Sequence, residues 1–148
     1  MSYTIEILET KPLKLATMKM TIPDYSTDLA YRAVLAMEKE LERKGILLAE
    51  EPYNFMVSFD SHNRLEVIDI EVALAVKTIG EDSEMIHFTE IENDSMLIRI
   101  VADSFDDVHI GLAEWMHDND HVANGILRQV IHEGTEHIYD CPVKRAED

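Results

Sequence analysis

The chain has 148 residues, 46% of them hydrophobic, and its 30 acidic against 13 basic side chains give a formal net charge of −17. That length suits one domain or two small repeats sharing a core; no run of about 18 apolar residues is present to span a membrane, and the alternating, glutamate-bearing start MSYTIEILET is unlike a signal peptide. So acidic a surface repels phosphate backbones and excludes direct nucleic-acid binding, and the single Cys141 rules out an intrachain disulfide, so a reducing, cytoplasmic setting is predicted.

Tyr3, Ile5 and Ile7 alternate with Thr4, Glu6 and Leu8, as in a half-buried strand. After TKP, LKLATMKMTI alternates again, with Leu13, Leu15, Thr17 and Lys19 on one face. PDYS then makes a turn, and Ser26 is placed to cap a helix. From Thr27 to Lys44 the period changes: Ala30, Ala33, Val34, Met37 and Leu41 form an apolar stripe opposite Arg32, Lys39, Glu40 and Arg43. Gly45 stops this amphipathic helix. YNFMVSFDS and LEVIDIEVALAV follow as strands, with the turn residues SHNR between them.

A second round begins with the strand MIHFTEIE, the turn NDS and the strand MLIRIVAD. SFDDV opens a helix running to about Asp118, with Val108, Leu112, Trp115 and Met116 on one side. Its polar continuation HDNDHVANG leaves the helix end ambiguous. LRQVIHE and EHIYDCPV close the chain as a hairpin about Gly134. A zinc site at His132 and His137 is the competing reading of IHEGTEH. Residues five apart on a helix are separated by roughly 140° around its axis, against the shared face of an H-E-x-x-H motif. His117 and His121 have the i,i+4 spacing of a metal pair without an evident second cluster. No metal and no cofactor is expected.

The order strand, strand, helix, strand, strand thus occurs twice, over about 1–79 and 84–144, with Leu13 matching Met96 and Val76 matching Val143. Strands joined by short turns within each half are expected to pair antiparallel. The fold class is α+β: an antiparallel sheet of about eight strands with two main helices on one face. Ile68, Ile70, Val72, Leu74 and Val76 form the row expected under a helix, and Val67, Asp69, Glu71, Ala73 and Ala75 face the other way, with room above. In the preceding strand Phe55, Val57 and Phe59 are read as core-facing, leaving Met56 and Ser58 on the open side. In the last hairpin Val130 and His132 take the core parity, and Gln129 and Ile131 the other.

This doubled order, with TIPDYSTDL before the first helix, GLAEWM in the second and LRQVIHEGTEHIYDCPV at the close, resembles the GyrI-like small-molecule-binding domain, the effector-binding module of MerR-type and AraC-type regulators. The resemblance covers residues 3–143. It implies a groove between two pseudo-symmetric halves that takes hydrophobic, often cationic compounds, with aromatic rings supplying a negative π face and a glutamate neutralising the charge. The family commonly has Glu and Tyr in the final hairpin, where this chain has Gln129 and Ile131, so Glu71 is the substitute carboxylate. The expected ligand-binding set is Tyr25, Met56, Glu71, Trp115, Gln129 and Ile131. For Trp115 the alternative is a core tryptophan, for Tyr25 a turn contact, for Glu71 a solvated strand residue, and for Met56 and Ile131 peripheral packing.

The resemblance implies a stand-alone module that senses or sequesters a hydrophobic, cationic small molecule. Two alternatives stand beside it. Some relatives hydrolyse electrophilic cyclopropane-containing compounds with a glutamate as general base. Others inhibit DNA gyrase, and the acidic surface suits such a basic protein partner.

Overall fold

The structure, a computed structural model, describes residues 3–23, 27–58, 68–92 and 96–146. Among them lie nine strands and two helices: β1 (Tyr3–Leu8), β2 (Leu13–Ile22), α1 (Thr27–Arg43), β3 (Asn54–Ser58), β4 (Ile68–Ala75), β5 (His87–Ile91), β6 (Met96–Ala102), α2 (Phe105–Asp118), β7 (His121–Ala123), β8 (Arg128–Val130) and β9 (His137–Arg145). The strand pairings are antiparallel and the class is α+β, as expected. Tyr25, the Ser26 cap, the SHNR and NDS turns, Phe59 and Val67 lie outside the described residues.

The chain divides into two compact units. The α1 unit comprises Pro12–Glu92 with Ile131–Glu133. Its strands run in the order β3-β4-β2-β5. The α1 stripe read from the sequence, Ala30, Ala33, Val34, Met37 and Leu41, is buried in one cluster with Ile68, Ile70, Val72, Leu74 and Val76 of the β4 row. Period 3.6 on the helix and period 2 on the strand bring the two apolar rows together. Gly45, at φ 77°, ends α1: the Ile46 N–H bonds the Leu41 carbonyl at 2.9 Å and the Gly45 N–H bonds that of Glu42 at 3.0 Å. This pair of bonds satisfies carbonyls that the helix end would leave open. On the far face of the strands, Leu15, Phe55, Ala73 and Ala75 form a smaller cluster.

The α2 unit comprises Met1–Lys11, Asn93–Val130 and Gly134–Asp148. Its order is β8-β9-β6-β1, with β7 also on β9. Ser104 caps α2, its hydroxyl oxygen accepting the Asp107 N–H at 3.1 Å, and Asp106 and Asp107 place negative charge at the positive helix end. Val108 and Leu112 are buried with Ile98, Ile100, Tyr139, Cys141 and Val143. Gly111 permits the close approach of α2 to the strands: a Cβ there would lie 2.5 Å from Ile100 Cδ1 and 2.9 Å from the Tyr3 ring.

Several expectations change. Strands joined in sequence do pair in β3–β4 and β8–β9, but β1 pairs with β6 and β2 with β5. Alternation specifies a strand and its apolar side without naming its neighbour; β1 goes to β6 because Tyr3 and Ile5 pack on the α2 core. The repeat runs Met18 onto Ile100, since these face Val72 and Tyr139 respectively, so the Leu13–Met96 match is one residue out. The segment after α2, read as an ambiguous helix end, contains the short strand β7.

The side assignments in β3 and in the last hairpin also reverse. Met56 stands opposite Val72 and is buried beneath α1, 2% exposed, whereas Phe55 stands opposite Ala73 on the far face. Gln129 stands opposite Tyr139, on the α2 side of its strands. Ile131 is buried in the α1 cluster, its N–H bonded to the Asn54 carbonyl at 2.9 Å. Both faces of β3 carry large apolar side chains, so alternation alone does not say which one is inside; a one-residue change of register exchanges them.

This register has a direct consequence for stability. Met56→Ala is expected to cost about 2–5 kcal/mol, the range for truncating a buried side chain. Chemical denaturation measures it, and a change below about 0.5 kcal/mol, typical of a surface position, would reverse the β3 assignment.

Candidate functional site

Within the α1 unit the expected ligand-binding residues separate onto two faces. Met56 and Ile131 share the α1 side, packed with Val34 and Met37. Glu71 lies on the other side of β4, half-buried, with Lys19 of β2 directly opposite. Directly opposed residues have Cβ atoms about 4.5–5.5 Å apart, so Glu71 shares this face with a basic residue. Near this face a depression of about 370 Å³ is lined by Lys19, Met20, Thr21, Asp69 and Ile70, and the Thr21 hydroxyl donates to Asp69 Oδ1 at 2.8 Å.

The α1 face carries a different polar group. Tyr31 of α1 packs against the same cluster as Met56 and Ile131, and its hydroxyl donates to Glu133 Oε1 at 2.6 Å. This bond holds the proton on the phenol and raises its pKa above the ordinary 10.0; the negative charges of Glu133 and Glu38 add to the effect. The pair is 102 residues apart in sequence and was not identified by sequence reasoning. A tyrosine on the edge of the α1 stripe was the one local signal.

In the α2 unit, Trp115 is half-buried, packs against the Val108–Tyr139 core, and has its ring centroid 5.1 Å from that of His121. Gln129 is half-buried beside Tyr139. Carrying Val76 onto Val143 carries Val72 onto Tyr139, which makes Gln129 the counterpart of Met56. The other face holds an ion pair that sequence reasoning also missed. Arg99 donates through Nε and Nη2 to the two oxygens of Asp140, at 2.7 and 2.8 Å, and Asp140 is fully buried. Arg128 stands opposite Asp140 on its other side. The signal was a charged residue in each of two apolar strands, MLIRIVA and HIYDCPVKR.

Cys141 is buried, and burial pushes its thiol pKa up, which makes it a poor nucleophile. His117 lies in α2 and His121 in β7. Among the described residues no group of three or more His, Cys, Asp or Glu is placed to hold a metal ion.

No protein-family model and no curated protein matches the chain. Among solved structures it is similar to EcmrR in a cryo-EM complex with DNA, at TM-score 0.78 and 18% identity, over 97% of this chain and 58% of that one. The chain therefore spans somewhat over half of that relative. It is also similar to the EcmrR C-terminal domain, at TM-score 0.75 and 19% identity, over 98% and 99% of the two chains. A hydrolase from Listeria innocua superposes at TM-score 0.61 and 9% identity, over 96% and 91%. At these identities the likeness is one of fold, and it accords with the GyrI-like fold that the sequence resembles.

The Tyr31–Glu133 bond makes stability depend on alkaline pH. Because the folded-state pKa of Tyr31 is raised, the contribution of the bond is fully present below the ordinary value of 10.0 and is lost as pH rises through the folded value. Wild type and Tyr31→Phe, compared by thermal unfolding from neutral to strongly alkaline pH, are expected to converge at the alkaline end. A gap in melting temperature independent of pH would contradict the bond.

Proposed function

We propose that this chain binds a hydrophobic, cationic small molecule, which it senses or sequesters. The observation that carries this reading is the match to the EcmrR C-terminal domain over 98% of this chain and 99% of that one. EcmrR itself has been determined in complex with DNA, and the chain spans 58% of that protein. The resembled family uses a module of this fold for effectors. The net charge of −17 supports a cation as the ligand. Of the expected ligand-binding residues, Trp115 and Gln129 are half-buried in the α2 unit and remain candidates for contact with the ligand, whereas Met56 and Ile131 are buried in the α1 core. The indole of the half-buried Trp115 offers apolar surface with a negative π face.

The likeness to a hydrolase from Listeria innocua keeps hydrolysis of an electrophilic small molecule as the second reading. It would need a carboxylate to take a proton from water, and the amide of Gln129 has no such basicity. The acidic surface also keeps open a basic protein partner, as in the gyrase-inhibiting members of the resembled family.

Rhodamine 6G, a hydrophobic cation, is expected to bind with a Kd in the micromolar range in a fluorescence titration, more tightly than an anionic dye of similar size. Absence of saturable binding by any cationic probe would remove this function. Glu71→Gln is expected to leave the affinity within about twofold, since the residue lies on the side of β4 away from α1. A loss of tenfold would return Glu71 to the site.

A further inference from the structure

β5 stands last in the strand order of the α1 unit, with β2 along one of its edges. In an antiparallel ladder, residues whose backbone groups reach the neighbouring strand alternate with residues whose N–H and C=O point the other way. Phe88 stands opposite Ala16 of β2, yet its N–H donates to Asp82 Oδ1 at 2.9 Å. Phe88 and Glu90 therefore direct their backbone groups to the outer edge of the strand. His87, Thr89 and Ile91 direct theirs to β2.

The segment just before β5 fills the start of that outer edge. Ser83 takes both backbone groups of Ile86: its N–H donates to the Ile86 carbonyl at 2.8 Å, and its Oγ accepts the Ile86 N–H at 3.1 Å. Asp82 takes the next outward donor, the Phe88 N–H, and its other oxygen lies 3.1 Å from Nδ1 of His87. The Phe88 N–H, and after it the His87 ring, hold the Asp82 carboxyl below the usual carboxylate range. Ile86 anchors the turn, 2% exposed within the α1 cluster. Asp82 and Ser83 thus occupy the backbone sites to which a further strand would add, the recurrent liability of a sheet edge.

We infer that Asp82 and Ser83 form a guard on the outer edge of β5, and that the occupant they exclude is β5 of a second copy of this chain. The strand HFTEI is self-complementary about Thr89. A two-fold axis at Thr89 sets Phe88 of one copy opposite Glu90 of the other. Both are outward-directed, so the opposed residues can exchange backbone bonds in both directions. Thr89 then meets Thr89, a stabilising cross-strand pair, His87 meets Ile91, and no two like charges stand opposite. With Asp82 in place the Phe88 N–H is committed in each copy, and the exchange is incomplete.

The test is sedimentation velocity of the full chain over a range of concentrations. Asp82→Ala is expected to raise the self-association constant about tenfold over wild type. Asp82→Asn, whose amide oxygen still accepts the Phe88 N–H, is expected to behave as wild type. Glu90→Pro removes an outward donor and no bond to β2, so adding it to Asp82→Ala is expected to return association to the wild-type level. An Asp82→Ala chain that associates no more than wild type overturns the inference, and so does association that Glu90→Pro leaves in place. Hydrogen exchange of the wild-type chain supplies a reading that needs no variant to fold. The Phe88 amide is expected to be protected and the Glu90 amide to exchange as an exposed group does. Fast exchange at Phe88, or equal protection of the two, overturns the guard.

Discussion

The register between β3 and β4 decides what this protein can do with its α1 unit. Opposite Val72 the pleat must place one residue beneath α1, and that residue is Met56. The choice puts a flexible thioether, instead of the rings of Phe55 and Tyr53, against Val34 and Met37. Those rings pair on the far face, 5.0 Å apart, over Leu15 and Ala73. Glu71, next to Val72 on β4, lies on the side away from α1, with Lys19 opposite on β2. A carboxylate cannot lie in the α1 core without losing its hydration, so the pleat and the desolvation of charge act in the same direction.

The second unit repeats this frame with different chemistry. Gln129 occupies the position that corresponds to Met56, opposite Tyr139 instead of Val72. The row behind it is more changed still. The strand partners Thr17 and Ala73 of the α1 unit correspond to Arg99 and Asp140 in the α2 unit. A buried ion pair of this kind is weak evidence for added stability, because each charge gives up water to enter it. Its two short bonds do make the arrangement specific: removing either partner would leave the other charge uncompensated. One scaffold therefore carries an apolar far face in one unit and an ionic one in the other.

The charge pattern bears on function through its exceptions. Most of the acidic excess lies on the surface, where water and salt reduce its influence over distances beyond about 8–10 Å. A carboxylate gains importance when it is held in one orientation, close to apolar area, without a cation of its own. Glu133 is placed by contacts distant in sequence: the Ile131 N–H bonds the Asn54 carbonyl and the Tyr31 hydroxyl donates to Glu133.

Much of the fold is legible in local sequence. The stripe from Ala30 to Leu41, the row from Ile68 to Val76 and the Gly45 stop each follow from short-range periodicity or from the backbone preference of one residue. These signals repeat at matching intervals, so the doubled order and the α+β class were also determined by the sequence. Which strand lies beside which was decided in three dimensions: β1 pairs with β6 and β2 with β5, because apolar rows find partners by shape and area irrespective of chain distance. Where both faces of a strand are apolar, as around Phe55 and Met56, periodicity is silent and only pairing with β4 settles the sides. The meeting of Tyr31 with Glu133 and of Arg99 with Asp140 belongs to the same category, since a hydrogen bond depends on distances of about 3 Å that no spacing along the chain encodes.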